Sequence, residues 1–139
     1  MKTLTIPNLP GHPQIAYIDE NLHIEQISAN AITEEFGTPT YVYSRAAIEQ
    51  AAQQYMTAAG ASPVHVALRY AVKANSTLAV LQILARLGWG FDIVSGGELQ
   101  RVLAAGGQSS KIVFSGVGKT AADMRLALDA GVDCFNVES

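Results

Sequence analysis

The sequence predicts an α/β fold: the first half of a TIM (β/α)8 barrel, with four parallel strands and intervening helices, after a small amino-terminal segment of short strands. From Ser44 onward, stretches with helical periodicity alternate with short apolar runs. The apolar runs are about 20 to 25 residues apart, which suits a helical crossover between parallel strands and is too long for a hairpin. A TIM barrel needs eight such strands, and the fourth ends at Ser139 with no helix after it, so we expect half a barrel.

Composition excludes several classes of protein. The 139 residues are 49% hydrophobic, carry a formal charge of -3 and hold their charged residues singly, so no basic stripe for nucleic acid is expected. No apolar stretch is long enough to span a membrane, and Met1–Pro7 lacks the apolar core of a signal peptide. The single cysteine, Cys134, is expected to be a packed thiol in a cytoplasmic protein.

Residues 1–43 form the predicted amino-terminal segment. Ile15–Ile18 and Leu22–Ile24 flank the turn-forming triplet Asp19-Glu20-Asn21, which predicts a hairpin. A short helix is expected over Ala29–Phe36, because Gly37 suits its carboxyl-terminal cap and Pro39 follows as a stop signal. Thr40–Tyr43 is then predicted as a short strand.

Residues 44–139 form the predicted half-barrel. Four helical patterns are each followed by a glycine and then by a strand. The predicted strands are Val64–Val72, Phe91–Val94, Lys111–Phe114 and Val132–Val137. This order of elements predicts a parallel sheet.

Lys73 is the strongest candidate for chemistry. In an extended strand it shares a face with Ala71 and Arg69, opposite Val72, and stands at the carboxyl end, where barrel enzymes place reactive groups. An ion-paired or solvent-reaching lysine is an equal alternative on position alone. On the next strand Asp92 lies opposite the apolar face, so it is expected near Lys73, where it would orient the amine and balance its charge.

Three further patterns give less support for a catalytic or binding site. Ser95-Gly96-Gly97-Glu98 suits a capped helix start, with Glu98 in the first turn. Gly118-Lys119-Thr120 lacks the preceding glycine of a phosphate-binding loop, and Thr120 with Asp123 predicts a capping box instead. His12, His23 and His65 have no metal-ligand spacing, so no metal site is expected.

Tyr70-Ala71-Val72-Lys73-Ala74-Asn75 and the stretch Gly90–Leu99 resemble the amino-terminal half of the diaminopimelate decarboxylases, which belong to the alanine-racemase-like, pyridoxal-phosphate-dependent barrel family. The resemblance covers roughly residues 36 to 139. It implies that Lys73 forms the Schiff base with pyridoxal 5′-phosphate and that Asp92 and Glu98 lie beside the lysine and the cofactor. It also implies that residues 1–43 belong to a split β domain.

The resemblance further implies decarboxylation of meso-diaminopimelate to lysine, a small amino-acid substrate and a homodimer. The phosphate-binding and substrate-binding residues of the family would lie beyond these residues, so the 139 residues alone are expected to be inactive. Two alternatives remain at this point. One is a related decarboxylase of the ornithine or arginine type, or a racemase; the other is a non-catalytic half-barrel module.

Overall fold

A computed structural model describes residues 13–138. Met1–Pro7 and His12, on which two of the predictions rest, lie outside these residues. The chain forms two compact units, one up to Ala51 and one from Ala52 onward, which divide inside a helix. The predicted domain boundary after residue 43 remains a prediction.

The amino-terminal unit contains a three-stranded antiparallel sheet in the order β1-β2-β3. Its strands are β1 (Ile15–Ile18), β2 (Asn21–Ile24) and β3 (Ile27–Ser28). The predicted hairpin is confirmed, and its turn residues Asp19 and Glu20 have φ angles of 47° and 65°, as a tight two-residue hairpin requires. The third strand was not predicted, because two residues are too short a run to show alternation.

Helix α1 (Ala29–Phe36) has the predicted bounds and ends at Gly37, whose φ is 75°. Ser28 caps its amino terminus by accepting a hydrogen bond from the Ala31 backbone N–H at 3.1 Å. The strand predicted at Thr40–Tyr43 is wrong. That segment pairs with no strand among residues 13–138, which leaves Tyr41 93% exposed.

The carboxy-terminal unit contains the predicted four-stranded parallel sheet, in the order β4-β5-β6-β7. Its strands are β4 (Arg69–Ala71), β5 (Gly90–Ile93), β6 (Ile112–Phe114) and β7 (Cys134–Phe135). The helices are α2 (Arg45–Gly60), which begins in the other unit, α3 (Leu78–Arg86), α4 (Gly96–Ala104) and α5 (Ala121–Asp129). The α/β prediction with serial crossovers is confirmed.

Three of the four strands, β4, β6 and β7, are shorter than predicted, most clearly β4. Pairing between β4 and β5 starts at Arg69 opposite Gly90, so Val64 and Val66 have no partner strand within the described part of the chain. After Ala71 the backbone turns into a single 3-10 turn, Val72–Ala74, and Lys73 therefore follows the strand instead of ending it. The prediction made β4 too long because it followed the apolar run, whereas only Arg69 to Ala71 pair with β5.

The core lies between the sheet and its helices. Phe91 and Ile93 of β5, together with Ile112 and Phe114 of β6, are fully buried, whereas Asp92 between them is half-buried. This alternation confirms the predicted faces of the strand. Cys134 contradicts its prediction, since it is exposed on the edge strand β7, where no further described strand covers it.

Asp123 links the starts of two helices. One carboxylate oxygen accepts hydrogen bonds from the backbone N–H and the hydroxyl of Thr120, at 3.2 and 2.7 Å, which confirms the predicted capping box of α5. The other oxygen accepts a hydrogen bond from the Gly96 backbone N–H, at the start of α4, at 3.1 Å. These bonds, led by that of the Thr120 side chain, lower the pKa of the Asp123 carboxyl.

Asp123→Asn is expected to lower the thermal midpoint of the full-length protein at pH 7. A carboxyl whose folded pKa is depressed contributes stability above its unfolded pKa and loses that contribution as the pH falls through its folded pKa. The gap in midpoint between wild type and variant should therefore narrow below about pH 4. Asp129→Asn is the matched control, because Asp129 ends the same helix, where a negative charge is unfavourable. An equal loss in both variants, or a constant gap down to pH 3, would contradict the double cap.

Candidate active site

The carboxyl-terminal edge of the parallel sheet carries the polar residues that the sequence singled out. In β/α folds, catalytic groups lie at this edge because the loops after the strands meet there. Lys73 follows β4, Asp92 lies within β5, and Glu98 lies in the first turn of α4, directly after β5.

No described helix is long and apolar enough to cross a membrane. Among residues 13–138, no group of His, Cys, Asp or Glu is arranged to hold a metal ion.

Lys73 has an exposed side chain on a firmly held turn. The preceding Val72 is fully buried, and the Tyr70 hydroxyl donates a hydrogen bond to the Asn75 carbonyl at 3.2 Å. The Asn75 side chain accepts from the Thr77 backbone N–H at 2.9 Å, which fixes the chain beyond the turn. Within the described part of the chain, the Lys73 ammonium forms no hydrogen bond or ion pair. The alternative of an ion-paired lysine therefore has no support among these residues.

Asp92 lies one strand away from Lys73. Its backbone is in register with Ala71, two residues before the lysine, so the sequence correctly predicted neighbouring strands. Its Oδ1 atom accepts a hydrogen bond from the Ser115 hydroxyl at 2.5 Å. The Asn136 side-chain amide in turn donates to the Ser115 hydroxyl at 3.0 Å. One oxygen of Asp92 is thus anchored by residues that follow β6 and β7.

Glu98 holds the turn between β5 and α4. Its carboxylate accepts a hydrogen bond from the Val94 backbone N–H at 2.7 Å, and its own backbone N–H donates to the Ser95 hydroxyl at 3.2 Å. The second bond confirms Ser95 as the predicted cap. Together the two bonds hold Glu98 at the same edge of the sheet as Asp92. Its role beside a cofactor remains a prediction.

Lys119 is a second lysine at this edge. Its side chain is 8% exposed, and its Nζ atom donates to the Gly116 carbonyl and lies 3.4 Å from the Glu138 carboxylate. It also lies 5.9 Å from the centre of the Phe114 ring. The Lys119 ammonium is therefore engaged by the Gly116 carbonyl and the Glu138 carboxylate. Lys73 therefore differs from Lys119 in having its amine free of described partners.

Sequence reasoning missed Ser115, Asn136 and Glu138. Each of the first two directly follows a strand, and their backbone N–H groups continue the parallel ladder to Ile93 and Phe114. The signal that could have found them was positional, because a polar residue immediately after a buried parallel strand faces the same edge as Lys73. The end of β6 at Phe114 was predicted correctly, so this signal was available for Ser115. The end of β7 was not, because the predicted strand ran on to Val137 and included Asn136.

Comparison with known proteins identifies the type of domain. Residues 45–139 match the family described as pyridoxal-dependent decarboxylase, pyridoxal binding domain. The diaminopimelate decarboxylase of Pseudomonas aeruginosa is 60% identical over 124 residues, which cover 89% of this chain and 29% of that protein. The chain thus spans less than a third of the length of this curated relative.

Solved structures show the same architecture. The diaminopimelate decarboxylase of M. jannaschii in complex with L-lysine matches with a TM-score of 0.82 and 34% identity, over 93% of this chain and 31% of that one. The lysine/ornithine decarboxylase of Vibrio vulnificus, in complex with putrescine, matches with a TM-score of 0.68 and 31% identity, over 79% and 29%. The prediction of a barrel-type arrangement after an amino-terminal sheet segment is confirmed.

Proposed function

Because this chain belongs to the family of pyridoxal-dependent decarboxylases, we propose that it supplies the lysine-bearing part of an enzyme that converts meso-diaminopimelate to lysine. The observation that carries the proposal is Lys73, a free amine at the carboxyl-terminal edge of a β/α sheet. The identity to diaminopimelate decarboxylases supports the choice of reaction, and the lysine bound in one solved relative supports the class of ligand.

The residues at this edge fit pyridoxal 5′-phosphate. An amine without a competing ion pair is available to the aldehyde of the cofactor, and Lys73 would hold it through Nζ. Asp92 keeps one carboxylate oxygen, Oδ2, free of described partners while Oδ1 is anchored. Glu98 keeps the adjoining turn in place through Val94. When bound, the cofactor supplies an electron sink for the bond pair released as carbon dioxide leaves.

The described residues have three tasks in this reaction. Lys73 would hold the cofactor through its Nζ atom. Asp92 orients the lysine amine and balances its charge, because its strand position puts it beside β4. Phe91 and Ile93, fully buried on the opposite face of β5, hold in place the strand that carries Asp92. The net change replaces the departing carboxylate of the substrate by a proton.

A second substrate class has specific support. The matched lysine/ornithine decarboxylase shares the architecture of this chain, so the domain is compatible with a shorter substrate. The higher identity to diaminopimelate decarboxylases makes the longer, doubly charged substrate our first choice. We also propose a homodimer in the cytoplasm, which rests on the resemblance to the family alone.

The test is carbon dioxide release by the full-length protein loaded with pyridoxal 5′-phosphate. With meso-diaminopimelate we expect a kcat/KM at least about 100-fold above that for ornithine, since a site built for a second polar end group rejects substrates that lack it. The product should co-migrate with lysine. Faster turnover of ornithine would replace our first choice by the second, and no release from either would reject the decarboxylase proposal.

A further inference from the structure

A chain of hydrogen bonds crosses three strands at the carboxyl-terminal edge of the sheet. It runs from the Asn136 amide after β7, through the Ser115 hydroxyl after β6, to the Asp92 carboxylate in β5, with distances of 3.0 and 2.5 Å. The second distance is in the range of hydroxyl to carboxylate bonds, which are stronger than those between neutral groups. The chain therefore ends on the carboxylate that the proposed function uses.

The direction of this chain is fixed by chemistry. An ionised carboxylate only accepts hydrogen bonds, so the single hydroxyl hydrogen of Ser115 is directed to Asp92. The serine oxygen then accepts from the Asn136 amide, which leaves the hydroxyl little freedom to rotate. Successive bonds of this kind polarise one another in the same sense.

The backbone on each side of the chain is equally well held. The Ser115 backbone N–H donates to the Ile93 carbonyl at 2.8 Å, and that of Asn136 donates to the Phe114 carbonyl at 2.9 Å. Phe114, which precedes Ser115, is fully buried and stacks on Phe135, with ring centres 5.8 Å apart. The two polar side chains thus start from rigid positions, as the orientation of a reactive group requires.

We propose that Ser115 is a positioning residue, which fixes one oxygen of Asp92 so that the other is presented toward the cofactor lysine, and that Asn136 fixes Ser115. The effect of Ser115 on turnover rests on the proposed decarboxylation. The effect of Ser115 on cofactor binding does not depend on which reaction the enzyme catalyses. A merely structural serine would satisfy the half-buried carboxylate without affecting how Lys73 takes up the cofactor. The two roles therefore predict different results.

The experiment compares Ser115→Thr with Ser115→Val in the full-length protein. Threonine and valine have nearly the same shape, and only threonine keeps the hydroxyl. The cofactor-free protein is mixed with pyridoxal 5′-phosphate alone, and the rate and affinity of uptake are followed by absorbance. We expect Ser115→Val and Ser115→Ala to slow uptake and turnover roughly 10-fold, the size seen when a supporting residue is lost, and Ser115→Thr to stay within about 3-fold of wild type. Equal effects of Thr and Val would overturn the proposal.

Ser110→Ala is the matched control. Ser110 lies before the same strand, at its opposite end, and its exposed side chain forms no hydrogen bond with a described residue. Its replacement should leave uptake and turnover unchanged. Asn136→Ala tests the next member of the chain without altering β6, and we expect a loss of about 3-fold in the same direction. A wild-type rate in Asn136→Ala would remove Asn136 from the proposal.

A double substitution separates action through Asp92 from action elsewhere. If Ser115 acts only by holding Asp92, Ser115→Ala should cause no further loss of uptake in the Asp92→Ala protein. An undiminished further loss would show that Ser115 acts independently, and would overturn the proposal. The uptake assay contains no amino-acid substrate. A protein that shows these effects on uptake but releases no carbon dioxide would therefore reject the proposed function and retain the role of Ser115.

Discussion

Lys73→Ala in the full-length protein is expected to abolish covalent trapping of pyridoxal 5′-phosphate by borohydride and to lower decarboxylation roughly 1000-fold or more. Such a loss corresponds to about 4 kcal/mol of transition-state stabilisation. The reason is structural: among residues 13–138, the other lysines at the sheet have their ammonium groups engaged. Lys119 is bonded to Gly116, and Lys111 donates to the Gly88 carbonyl at 3.1 Å, at the opposite end of β6.

The position of the label gives an independent check. Trypsin does not cut after a modified lysine, so the reduced cofactor should appear on the peptide from Tyr70 to Arg86 with Lys73 uncleaved. Lys111→Ala is the matched control and should keep both the label and the activity. A label on Lys111 or Lys119 would show that the assignment of Lys73 is wrong.

Asp92→Ala is expected to slow cofactor uptake and turnover by about 10- to 100-fold while the protein remains folded. The structure also bears on the size of the stability change. Loss of a buried counter-ion costs about 3–5 kcal/mol, but Asp92 is only half-buried and forms no ion pair with Lys73. Loss of its charge-assisted hydrogen bond with Ser115 is expected to cost about 1–3 kcal/mol.

Parallel measurement of single-turnover decarboxylation and of the thermal midpoint tests this prediction. Asp133→Ala serves as the comparison, because Asp133 pairs with Arg69 at 2.9 Å at the amino-terminal end of the sheet. Its loss should affect the midpoint slightly and the turnover not at all. Normal turnover in Asp92→Ala, together with a sharply lowered midpoint, would remove the orienting role of Asp92.

Local rules predicted the elements that depend on nearby residues. The hairpin, helix α1 and the capping box at Thr120 follow from turn residues, a terminal glycine and cap spacing, each of which acts within a few residues. The alternation of Phe91, Asp92 and Ile93 also placed the carboxylate on the correct face. The alternating pattern predicted the two faces of β5 correctly because this strand has a partner strand on each side.

The errors arose where the outcome depends on distant residues. The length of β4 is set by where β5 begins. Thr40–Tyr43 forms no strand because it has no partner among residues 13–138, which an apolar run does not reveal. Cys134 is exposed because its strand lies at the edge of the described sheet. The hydrogen-bond chain that ends at Asp92 depends on three strand ends coming into line, so no local pattern predicts it.

The shared cap at Asp123 couples two positions that are far apart in the sequence. A Cβ atom on Gly96 would lie 2.4 Å from Oδ1 of Asp123, so a side chain there displaces the oxygen that accepts from the start of α4. Once residue 123 is alanine, that obstacle is gone. Gly96→Ala should then be far better tolerated than in the wild-type background, which makes the two substitutions non-additive. Directed evolution of this domain should therefore sample the two positions jointly, because single-site screening would reject each change on its own.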